Sequence, residues 1–126
     1  MEKLTFDTGI QSFRVSGGGV LRFNPADPNV YARFLEVLES LGEMEKTLTA
    51  PGSDALGVLS RADKTIKEKL SYVFGGDNDM DAVFSGVSLL AVGNNGQRLI
   101  TNFMAAIEPI LSDGARQCAA AEAAKL

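Results

Sequence analysis

The chain reads as an α+β protein, an N-terminal β-hairpin packed on a bundle of about three amphipathic helices. Two period-2 apolar runs joined by a glycine cluster occupy the first 24 residues, and apolar stripes at helical spacing fill most of the remainder. Proline- and glycine-rich clusters separate the stripes. With 126 residues, 45% hydrophobic and 22% charged, a single soluble domain over 1–126 is expected.

The hairpin falls within 5–24. Phe13 and Val15 alternate with Ser12 and Arg14; after Ser16-Gly17-Gly18-Gly19, Leu21 and Phe23 alternate with Arg22 and Asn24. Glycine tolerates the positive φ of a tight turn, so the two runs fold back on each other. Phe13, Val15, Leu21 and Phe23 then share one face, with Arg14 and Arg22 on the other. Thr5-Phe6-Asp7 admits a further short strand, with Thr8-Gly9 as a turn. A hairpin buries little by itself and must lean on helices.

The first helix is expected over 28–49. Asp27 caps the free N–H groups at its start, and Pro28 fits the first helical position, where a missing N–H is harmless. Val30, Phe34, Val37, Leu41, Met44 and Leu48 recur at steps of 4, 3, 4, 3 and 4, close to a 3.5-residue period. A second helix is expected over 54–74, with Leu59, Ala62, Ile66, Leu70 and Val73 inward. Arg61, Asp63, Lys64, Lys67, Glu68 and Lys69 belong to its wet side. Gly75-Gly76 ends it.

Asp79 to Phe84 is compatible with one helical turn, and 86–92 is too short for periodicity to separate strand from buried helix. The third main helix is expected over 97–112, with Ile100, Phe103, Met104, Ile107 and Leu111 as its stripe. Pro109 removes one internal bond and is expected to kink it. Residues 115–126 are Ala-rich with little to bury, so this tail is expected to fray or to be ordered by a partner.

The chemistry of the residues points away from catalysis. Twelve Lys and Arg against 16 Asp and Glu give a net charge of −4, with no basic block to neutralise phosphates, so nucleic acid is not an expected partner. There is no histidine, which removes the commonest general base and the commonest transition-metal ligand. The single cysteine, Cys118, forms no internal disulfide and has no base to activate it. Asp77-Asn78-Asp79-Met80-Asp81 imitates the start of a calcium loop, but Ala82 and Ser88 stand where Gly and a bidentate Glu are needed. Gly17-Gly18-Gly19 precedes a strand rather than a helix N-terminus, so it does not cradle phosphate. Ser85-Gly86-Val87-Ser88 lacks the flanking glycines of a nucleophile elbow, and no histidine could serve either serine. No catalytic residue, metal ligand or cofactor is expected. No apolar segment is long enough to span a bilayer, and no leader precedes the first polar residues, so the chain is expected to stay in the cytoplasm.

The apolar stripes serve first as core. The one from Val30 to Leu48 is long, near-heptad and carries Met44, and it also suits self-association or reception of a partner helix. Phe34, Val37, Leu41, Met44, Leu48, Phe103 and Ile107 are therefore the candidate partner-binding residues.

Taken in order, Phe6-Asp7-Thr8-Gly9-Ile10, Val20-Leu21-Arg22-Phe23-Asn24-Pro25 with Asp27, Val73-Phe74-Gly75, Ala82-Val83-Phe84 and the helical Leu99-Ile100-Thr101-Asn102-Phe103 resemble a known family. It is that of the small tail assembly chaperones of tailed phages and prophages of Gram-positive bacteria. The likeness spans nearly the whole chain, and the Arg22-Phe23-Asn24-Pro25-x-Asp27 junction is its most specific part. Where the family pattern has an aromatic segment ending in Trp, this chain has Asn94-Asn95-Gly96-Gln97-Arg98. The resemblance implies a non-enzymatic role: binding the long helical tape measure protein, keeping it soluble, and bringing tail tube protein to it. It further implies a homo-oligomer in the host cytoplasm, absent from the mature virion. A structural virion component, such as a tail completion or tube-associated protein, is the alternative.

Overall fold

A computed structural model describes residues 1–48 and 55–124. Strands β1 (Gln11–Arg14) and β2 (Val20–Phe23) form an antiparallel hairpin, followed by α1 (Pro28–Leu48), α2 (Ala55–Phe74), the single turn α3 (Met80–Val83) and α4 (Leu99–Ala124). The architecture is α+β, with the hairpin on the helices.

The hairpin register pairs Gln11 with Phe23 and Phe13 with Leu21, and Val15 N–H donates to Gly19 O across the turn at 2.7 Å. As the alternation requires, Leu21 and Phe23 are buried, Phe13 and Val15 half-buried, and Arg14 and Arg22 exposed. Thr5-Phe6-Asp7 forms no strand. Residues 1–9 are an irregular arm whose root is tied locally: Gly9 N–H donates to Asp7 Oδ1 at 2.8 Å, and Asn24 Nδ2 donates to Thr8 O at 3.1 Å.

The same Asn24 organises the entry to α1. Its Oδ1 accepts from Ala26 N–H at 2.8 Å, and Asp27 Oδ1 accepts from Asn29 N–H at 2.9 Å, the capping bond that an aspartate before Pro28 supplies. Helices α1 and α2 pack along Val30, Phe34, Val37, Ala62, Ile66 and Leu70; Leu21 and Phe23 cover one end, and Leu89, Ile107 and Leu111 close the core. The side chain of Leu48, and residues 49–54 with the predicted end of one helix and start of the next, lie outside the described residues.

Two helical expectations are revised. Helix α4 does not stop near 112 but runs unbroken through the exposed Pro109 to Ala124. Buried Gly114 lies against Pro25, and beyond it high alanine propensity carries the helix on. Lys67, assigned to the wet side of α2, is only 9% exposed. Its Nζ lies 3.1 Å from Asp63 Oδ2 and 2.7 Å from Asp81 Oδ1, and those two acids make its burial tolerable. Among the described residues no helix is long and apolar enough to cross a membrane.

Candidate functional site

Helix α4 separates two open, apolar clefts. The first lies between α1 and α4 and holds about 450 Å³. Leu38, Leu41 and Met44 form its α1 wall, Ile100 and Met104 its α4 wall, and Ile66 and Leu90 its floor. Its polar members are Glu45, Thr101 and Arg98, whose Nη1 donates to Leu90 O at 2.7 Å and so fixes the loop before α4. The second lies between β1 and α4, holds about 420 Å³, and is lined by Phe13, Val15, Phe84, Leu99, Phe103 and Ile110.

A run of aromatic rings supports the second cleft. Phe13 stacks on Phe23 at 5.0 Å, Phe23 meets Phe74 at 4.8 Å, Phe74 meets Phe103 edge-on at 6.1 Å, and Phe84 also meets Phe103 edge-on at 5.1 Å. The hairpin and α4 are thereby fastened through the core, and Phe13 and Phe103, both half-buried, also line the cleft.

Structure divides the candidate partner-binding residues into three groups. Phe34, Val37 and Ile107 are core, each at most 4% exposed, although Ile107 touches the second cleft from below. Leu41 and Met44 stand in the first cleft, and Phe103 in the second. The near-heptad stripe of α1 therefore turns from core at its start to cleft wall at its end. Leu38 and Met104 also line the first cleft, and Phe13 and Ile110 the second, beyond the residues the sequence nominates for binding. Phe13 and Met104 belong to apolar patterns visible in the sequence and Leu38 and Ile110 lie beside such patterns, but only long-range packing decides which apolar residues remain uncovered.

Asp63, Lys67, Asp79 and Asp81 are engaged in structure. Asp63 Oδ1 accepts from Leu89 N–H at 2.8 Å while its other oxygen holds Lys67, so one carboxylate ties α2 to the loop after α3. Burial alone would lower the Lys67 pKa, but the hydrogen bonds it donates to Asp81 and Asp63 outweigh this and hold the ammonium above its ordinary 10.5. In the acidic loop, Asp79 caps α3 through Asp81 and Ala82 N–H, and Asp81 binds Lys67. Asn78 braces β2, with Oδ1 accepting from Arg22 N–H at 2.9 Å and Nδ2 donating to Arg22 O at 2.8 Å. Ser85, at φ 55°, donates its hydroxyl to Gly17 O at 3.1 Å and latches the hairpin turn to the α3 exit. Among the described residues, no three His, Cys, Asp or Glu side chains converge as a metal site would need.

No protein-family model, curated protein or solved structure matches the chain.

Proposed function

We propose that this protein acts by non-covalent binding, as a phage tail assembly chaperone that covers the apolar face of a tape measure protein and helps bring tail tube protein to it. The reading places it in the cytoplasm of the bacterial host and leaves it out of the mature virion. The observation that carries it is the cleft between α1 and α4, where three leucines, two methionines and two isoleucines line an open trough at the molecular surface. Unbranched methionines adapt to irregular partners, and a trough bounded by two helices receives a third by its apolar stripe. Glu36, Glu39, Glu43 and Glu45 on α1, with the net charge of −4, would keep such a complex soluble. The resemblance at Arg22-Phe23-Asn24-Pro25-x-Asp27 supplies the identity of the client.

Co-expression with a tape measure protein, followed by affinity capture, tests this reading. The wild-type chain should bring the client into the soluble fraction, and Leu38→Glu with Met104→Glu should abolish this while leaving the far-UV spectrum unchanged. A client that stays insoluble beside the wild-type chain, or a double variant that solubilises it fully, overturns the reading.

A further inference from the structure

The two edges of the hairpin differ. On β2 the outward N–H and C=O of Arg22 are both taken by the Asn78 amide, which closes that edge as a neighbouring strand would. On β1 the register makes Ser12 the partner of Arg22 and Arg14 the partner of Val20, the pairs that do not bond across the hairpin. The backbone groups of Ser12 and Arg14 therefore point away from β2, and among the described residues nothing meets them. An open edge of this kind is a template for an added strand. Here it borders the second cleft, so an added strand would also find an apolar floor on α4.

The chain carries a segment of matching character. In the arm, Leu4 is 88% and Phe6 69% exposed, and they alternate with Thr5 and Asp7. Laid beside β1, such a segment turns Leu4 and Phe6 to the face of Phe13 and Val15, and Thr5 and Asp7 to the face of Ser12 and Arg14. The Asp7 carboxylate then lies on the same face as the exposed Arg14 guanidinium, an opposite-charge cross-strand pair. Asn24 ties the root of the arm to the residue after β2, away from the open edge, so a molecule does not fill its own cleft in this conformation.

We propose that residues 4–7 of a second copy of this chain add to the open edge of β1, laying Leu4 and Phe6 into the cleft against Phe103 and Ile110. Reciprocal exchange of two arms satisfies both edges at once. The inference is independent of the client-binding role, which uses the opposite side of α4.

Sedimentation velocity of the full-length chain over a micromolar concentration series tests it, alongside Phe6→Asp and Ser12→Pro. The N–H lost in S12P points outward, so the hairpin keeps its own bonds. Wild type should sediment at two or more times the 13.4 kDa of one chain, and both variants at the single-chain mass. Phe6 makes no core contact, so F6D keeps the test valid even if S12P fails to fold. A photo-crosslinking p-benzoylphenylalanine at position 6, in a mixture of isotopically heavy and light chains, should join heavy to light within 103–110. Single-chain mass for wild type throughout, an oligomer that survives F6D, or crosslinks confined to one chain would overturn the proposal.

Discussion

Gly114 of α4 lies directly against the carbonyl of Pro25, so closely that a Cβ at this position would overlap the oxygen. The same holds between Gly19 at the end of the hairpin turn and the carbonyl of Val83. Both obstacles are backbone, which cannot swing aside as a side chain can. These two approaches seat α3 and α4 closely on the hairpin and its exit.

Gly114→Ala should destabilise the fold by about 3 kcal/mol, the scale of an overpacked contact with no soft neighbour. Gly19→Ala should act in the same direction. Urea denaturation followed by far-UV circular dichroism reads both, and a wild-type midpoint for either variant would mean that the chain yields there at little cost.

Asn78→Ala leaves the N–H and C=O of Arg22 without their partners in a part-buried setting. A loss of about 2 kcal/mol is expected. Asn78→Asp should lose at least as much, because a carboxylate would face the carbonyls of Arg22 and Phe74, where the amide now donates at 2.8 and 3.1 Å. Thermal melts compare the three chains, and N78D should not rescue N78A.

Lys67→Met leaves Asp63, with only 14% of its side chain exposed, facing no cation, while Asp81 is open to water. The cost should be about 2 kcal/mol, below the range for fully buried pairs because Asp81 is solvated. Since the folded-state pKa of Lys67 lies above 10.5, its contribution is complete below that pH and fades as pH rises through the folded value. The stability gap between wild type and K67M should therefore stay constant from neutral to mildly alkaline solution and close only in strong alkali. A gap that closes between pH 7 and 9 would contradict this.

The Tyr72 hydroxyl donates to Glu36 Oε2 at 2.8 Å, and Arg33 sits 5.5 Å from the Tyr72 ring centre. The hydrogen bond to Glu36 raises the phenol pKa above 10.0. Ultraviolet titration should show one tyrosine ionising late in the folded protein, and Glu36→Gln should bring it earlier. An unchanged titration curve would dissociate Glu36 from the phenol in solution.

Local signals in the sequence specified much of this fold. Alternation of Phe13, Val15, Leu21 and Phe23 around three glycines, the Asp27-Pro28 entrance and the stop at Gly75 each act within a few residues, and each appears where expected. Long-range features were hidden. The burial of Lys67 depends on Asp81, which is separated from it by the whole end of α2, and the close approach of Gly114 to the Pro25 carbonyl joins residues far apart in the chain. The clefts follow the same rule: the stripes of α1 and α4 were visible, but Phe34 and Val37 are covered while Leu38, Met44 and Met104 are left open, and only the assembled helices decide this.

The two tyrosines, Tyr31 and Tyr72, stand on α1 and α2, and tryptophan is absent. Intrinsic fluorescence therefore reports on one helical pair and is blind to the hairpin and to α4. Within the folded state an emission change marks the surroundings of that pair, so local events around Phe103 need a reporter of their own, for which Phe103→Trp offers an aromatic of similar character at the wall where a visiting strand would lie.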